Sequence, residues 1–113
     1  MYKIFYILLL APLAAFAGTG TNAGTAGTNE QLRQAEYSYN QTKIQMNRVY
    51  RQMRHTMPAT EIQGFDVVQG KWIAYRDASC HYYGRNIASQ IECLENMNTR
   101  RIKEMQEILN NYK

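Results

Sequence analysis

Cysteine and histidine are scarce in this chain, with two of each in 113 residues. Cys80 and Cys93 stand thirteen apart, and no C-x-x-C pair exists. A zinc site needs four protein ligands, or three and an open position. Cys80, His81 and Cys93 with the distant His55 do not supply that set, so neither a metal site nor a cofactor is expected. Cysteine–histidine catalysis needs a free thiolate beside an oriented base, and adjacent Cys80 and His81 need not face each other. Asp66, Asp77, Glu92 and Glu95 have ordinary surface or ion-pair explanations. The chain is read as a non-enzyme. Charge of one sign is not concentrated either: 13 Lys and Arg against 9 Asp and Glu give +4. Spread through the chain without a dense stripe, these charges do not make a nucleic-acid surface. Strand-like alternation and internal repeats are also missing.

The apolar run Ile4–Phe16 is too short for a membrane span, which takes about 20 residues. Lys3 before it and Ala15-Phe16-Ala17 after it give the pattern of a cleaved secretory signal over residues 1–17. Loss of Lys3 lowers the net charge by one. No membrane span is expected after cleavage, and the protein is expected in the periplasm or outside the cell. Residues 18–28 alternate glycine, threonine and small residues and are read as a flexible tether. One small domain, 29–113, remains. In an exported chain two cysteines are most simply a disulfide. Closing a loop of this length is worth roughly 3 kcal/mol in the chain-entropy model.

Periodicity predicts three helices. In the first, Asn29 to Met57, a stripe runs Leu32, Ala35, Tyr39, Thr42, Met46, Val49, Met53, Met57, widened by Tyr50. Asn29 is its expected N-cap, Glu30 suits its first turn, and Pro58 ends it. Its methionines serve either a core or a dimer, and the oligomeric state is open. The second helix, Thr60 to Ser79, is expected to bury Ile62, Phe65, Val68, Trp72 and Tyr75, with Thr60 as cap. Gly64 and Gly70 weaken it unless they admit a neighbouring helix. The third, Ile87 to Asn111, buries Ile87, Ile91, Leu94, Asn98, Ile102, Met105, Leu109 and Tyr112. The fold class is therefore all-α: a disulfide-stapled three-helix bundle, or a bent hairpin with a third helix.

Trp72 and Arg76, four apart, can stack as a cation–π pair. Asp77 is expected to accept from an arginine on the third helix. Together these residues are read as locking helix two onto helix three. The bridge-closed loop His81-Tyr82-Tyr83-Gly84-Arg85-Asn86 carries residue types enriched at binding hot spots. With nearby Glu92 and Glu95 it is the candidate binding surface; the alternative is that both tyrosines fold back onto helix ends.

The string Gln69-x-x-Trp72-x-x-x-Arg76-Asp77-x-x-Cys80, then Cys93-Leu94 and Arg101, resembles the LprI-like lysozyme-inhibitor family. Met46-Asn47-Arg48-Val49-Tyr50-Arg51-Gln52-Met53 is similar to that family's L-N-x-x-Y-x-x-L helix. The resemblance covers about Tyr37 to Leu109. The chain departs from it at Lys43, where an acidic residue is common, and at Asn98, where threonine is common. A further cysteine pair carried by many members is missing. The resemblance implies an exported helical inhibitor that blocks a lysozyme-type muramidase by protein–protein contact. It makes Trp72, Arg76, Asp77, Arg101, Tyr50 and Asn47 structural motif residues. The competing class is an envelope adaptor or structural module that binds another exported protein or peptidoglycan.

Overall fold

A computed structural model describes residues 26–113, with side chains from Asn29 onward. The expected leader, and the expected tether up to residue 25, lie outside the described residues. Three helices account for the described chain: α1 (Ala26–Thr56), α2 (Ala59–Tyr83) and α3 (Ile87–Asn110). No described helix is long and apolar enough to cross a membrane. The all-α, disulfide-stapled three-helix bundle is the observed fold.

Helix α1 starts three residues before the expected Asn29, so Glu30 falls outside its first turn. It ends as expected before Pro58, because a residue preceding proline is pushed out of the α region. The turn is tight: Met57 N–H donates to Met53 O at 2.8 Å, and Pro58 O accepts from Glu61 and Ile62. Pro58, not Thr60, occupies the N-cap of α2, and no side chain caps that end. Asn86 caps α3, its Oδ1 accepting from Ser89 N–H at 2.8 Å.

Helices α1 and α3 form the closest pair, and α2 lies against them more loosely. Their expected stripes are the buried ones, apart from half-buried Leu32 and Ile87 and exposed Tyr112 at the rim. Met46, Met53 and Met57 are core residues with Val49, Tyr50, Phe65, Ile102, Met105 and Leu109. Those methionines therefore fill the protein's own interior. A second apolar cluster, at the disulfide end, holds Ala35, Tyr39, Cys80, Ile91 and Leu94.

The stripe expected on α2 is corrected. Val68 and Tyr75 are exposed, 55% and 64%, while Trp72 and Ile62 are only half-buried. The side facing the bundle carries Phe65, Gln69, Ile73, Arg76 and Cys80. Apolar residues lie on both sides of α2 and two polar ones point inward, so hydrophobicity alone does not orient it. The helix also continues past Ser79 to Tyr83. His81, Tyr82 and Tyr83 are thus its last turn, and the connection to α3 is only Gly84–Asn86.

Candidate functional site

Two features follow from this packing: a polar layer between the apolar clusters, and the disulfide end of the α2–α3 hairpin. The layer is centred on Arg76, whose side chain has no solvent exposure. Its Nε and Nη2 donate to Asp77 Oδ1 at 2.9 and 2.6 Å. Its Nη1 donates to Asn98 Oδ1 on α3 at 2.9 Å. Asn98 Nδ2 in turn donates to Thr42 Oγ1 on α1 at 3.1 Å, and Thr42 donates to Tyr39 O at 2.7 Å. A chain of bonds therefore crosses all three helices. Buried charges need this kind of pairing, since desolvating an ion costs several kcal/mol.

Asp77 accepts from its neighbour Arg76, not from an arginine of α3 as expected. Arg101 on α3 instead donates from Nε to Gln69 Oε1 at 2.8 Å and from Nη1 to Glu104 at 2.9 Å. Trp72 lies between two guanidiniums, Arg76 at 5.5 Å and Arg101 at 5.6 Å from its ring centroid. The expected Trp72–Arg76 stacking is present, and Arg76–Asn98 and Arg101–Gln69 do tie α2 to α3. Burial pushes the Asp77 carboxyl above its ordinary value, with Arg76 opposing. Burial likewise drives the Tyr39 phenol up to about 12 and holds the Lys43 ammonium below its ordinary value. Lys43 stands over the Tyr39 ring at 4.9 Å.

Of the remaining motif residues, Tyr50 is buried and donates to Asp66 Oδ1 at 2.6 Å. Asn47 stands apart: its Oδ1 is buried with no hydrogen-bond partner among the described residues. Sequence reasoning missed the inward Gln69 and the burial of Lys43. Spacing from Phe65 to Cys80 carries a signal for Gln69, Ile73 and Arg76, but only to a reader who admits polar residues to a buried stripe.

At the hairpin end, Cys80 and Cys93 are bonded, with their Cα atoms 5.5 Å apart. Gly84 closes the connection because nothing larger fits. A Cβ there would come within 2.8 Å of Cys80 O and 2.9 Å of Gln90 Cα. Gly84 N–H donates to Cys80 O at 3.0 Å, and Gln90 Nε2 donates to Gly84 O at 3.3 Å. Tyr82 and Tyr83 do not fold back. They are 79% and 74% exposed and meet edge to face, ring centroids 4.8 Å apart. His81, Arg85 and Glu92 are exposed and Glu95 is half-buried. Among the described residues no cluster of three or more His, Cys, Asp or Glu is placed to hold a metal ion. The end therefore carries an exposed pair of aromatic rings close to the disulfide.

No curated protein and no solved structure matches the chain. The family model described as lysozyme inhibitor LprI matches residues 19–105. That stretch spans all the motif residues, the polar layer and the stapled end, and the chain belongs to the LprI lysozyme-inhibitor family.

Proposed function

We propose that this chain is an exported, non-enzymatic inhibitor that binds a lysozyme-type muramidase through the stapled end of the α2–α3 hairpin. Membership of the lysozyme-inhibitor family carries the reading. The disulfide suits an oxidising compartment outside the cytoplasm. The exposed Tyr82–Tyr83 pair supports the choice of surface, because aromatic anchors dominate binding energy. The bridge and Gly84 constrain the backbone that carries those rings, which lowers the entropy cost of association. Arg85 and Glu92 would form the polar rim, with Glu95 and His81 beside it.

Charge narrows the mechanism. Lysozymes are commonly cationic, and a chain with net +4, still positive once Lys3 is removed, gains no long-range attraction to them. Recognition therefore rests on short-range fit of the tyrosines and on Glu92 and Glu95.

The test is a lysis assay. Purified oxidised protein is titrated against c-type, g-type and i-type lysozymes acting on cell walls. Saturable inhibition of one type is expected, weakened about tenfold or more by Tyr82→Ala or Tyr83→Ala and lost on reduction of the bridge. Absence of inhibition for every type would sink this reading in favour of an envelope adaptor. Inhibition untouched by Tyr82→Ala, Tyr83→Ala and Glu95→Ala would move the contact to another face.

A further inference from the structure

A groove runs between α2 and α3 on the flank of the hairpin, lined by Trp72, Tyr75, Met97, Arg100, Arg101 and Glu104. Residues three and four apart share a helix face, so Trp72 and Tyr75 form one wall and the four α3 residues the other. The groove is rich in donors that nothing inside the chain uses. Arg100 is exposed and has no ion pair among the described residues. Arg101 commits Nε to Gln69 and Nη1 to Glu104, and its Nη2 has no hydrogen-bond partner among them. The Trp72 indole N–H and the Tyr75 hydroxyl likewise have none among the described residues. The only carboxylate lining the groove, Glu104, is already held by Arg101. Two guanidiniums against one carboxylate leave an unbalanced positive charge.

We propose that this groove binds a carboxylated sugar: a pyranose ring bearing a carboxylate. Its volume, about 190 Å³, is below the roughly 300–1,000 Å³ of sites that bury a drug-sized ligand, so it suits a single ring. A pyranose has an apolar C–H face and a polar hydroxyl edge. The exposed Tyr75 ring offers an apolar face with a hydroxyl at its tip, and Trp72 adds an N–H donor for the polar edge. Arg100 supplies the fork of N–H groups that matches a carboxylate through two parallel bonds. A free phosphate fits less well. It leaves the aromatic wall unused, and the groove lies within both helices, away from the N-terminal amides at Ala59 and Ile87 that favour such an ion. An exposed guanidinium is screened by water and salt, so a monosaccharide should dissociate with a constant on the order of 1–10 mM. Tyr75 lies seven residues before Tyr82, about 10 Å along the helix. None of the lining residues belongs to the proposed muramidase contact, so the sugar site is separate from it.

Trp72 is the sole tryptophan of the chain, so its fluorescence and its indole N–H resonance report on this groove. Glucuronic acid and N-acetylmuramic acid are titrated into the purified oxidised chain at constant ionic strength, up to about 50 mM, several times the expected dissociation constant. Glucose and N-acetylglucosamine are the neutral counterparts, and acetate is the carboxylate without a ring. Saturable shifts of the Trp72 signal are expected with both acidic sugars, and binding at least about fivefold weaker with the neutral sugars and with acetate. Arg100→Gln should bring the acidic sugars down to the affinity of the neutral ones. Tyr75→Ala should weaken them about tenfold. Both variants should keep the circular-dichroism melt, because both side chains are exposed. No Trp72 response to either acidic sugar overturns the proposal. So does equal binding of the neutral sugars or of acetate, or a response untouched by Arg100→Gln. The titration contains no muramidase, so its failure leaves the lysis result standing, and failure to inhibit a muramidase leaves the sugar site standing.

Discussion

Along α1 and α3 the inward side is mostly apolar and the outward side mostly polar; along α2 the arrangement is partly inverted. Inward, α2 presents Gln69 and Arg76 beside Phe65, Ile73 and Cys80. Outward, it presents valines, tyrosines, alanines and glycine around a single lysine. Helix α2 is thus oriented by specific bonds more than by hydrophobicity. Arg76–Asn98 and Arg101–Gln69 fix its rotation, and the disulfide fixes its far end. With its orientation held that way, the outward side is free to carry apolar residues.

The largest test of this comparison sets one inward residue against one outward residue. Arg76→Ala removes the cation that Asp77 and Asn98 bind, leaving buried polar groups without it. Urea denaturation should show a loss of about 3–5 kcal/mol. Tyr75→Ser on the opposite side should change monomer stability by no more than about 0.5 kcal/mol. Equal losses would mean that α2 is held by its outer side, and the comparison would fail.

Removing the bridge is expected to cost somewhat less. Cys80→Ser with Cys93→Ser opens a loop of 13 residues' separation, worth roughly 3 kcal/mol in the chain-entropy model. The loss should be accompanied by faster amide exchange at Gly84–Asn86, where the connection leans on Cys80 O. Retention of full stability after reduction would leave the polar layer and the buried Phe65 and Ile73 to hold α2.

The layer also predicts an alkaline limit. Tyr39 is fully buried and its phenol is pushed up to about 12, above the ordinary 10.0. The folded state thus keeps a proton that the unfolded chain releases. The stability linked to that proton is complete below pH 10 and lost as pH rises through 10 to 12, on the order of 2–3 kcal/mol. Lys43 acts in the opposite sense. Its folded value is lowered, so its burden on folding is relieved as pH rises towards its ordinary value. Tyr39→Phe should therefore flatten the fall in melting temperature above pH 10, while Lys43→Met should steepen the net decline. A phenolic titration in which every tyrosine ionises near 10 would contradict the burial of Tyr39.

How far the fold could be read beforehand follows from the same contrast. In α1 and α3 the period of apolar residues coincides with the inward side, so Met46, Val49, Met53, Ile91, Leu94 and Ile102 were legible by spacing alone. Even polar Thr42 and Asn98 were caught, because they sit on stripes that are otherwise apolar. In α2 two apolar lines compete, and Val68 and Tyr75 belong to the outer one. The bonds that decide between them join residues 22 and 32 positions apart, beyond any local pattern. At the hairpin end the disulfide was legible but the shape was not. His81, Tyr82 and Tyr83 read as loop because the cysteine suggested a helix end, whereas the bridge is compatible with helix through Tyr83. Gly84 then makes the turn by admitting close backbone contact.

The smallest effect bears on the outer side of α2 most directly. Gly64→Ala adds a methyl group into space where nothing lies within 4 Å, at a helical position with no positive φ. Helix propensity and reduced freedom of the unfolded chain both favour alanine, by up to about 1 kcal/mol. Monomer melting at low concentration should rise accordingly. Gly70 has the same open surroundings, so Gly70→Ala should raise the melting temperature in the same way. A fall in stability after Gly64→Ala would instead show that this turn of α2 already has an unrecognised neighbour, and the outer side would no longer count as open.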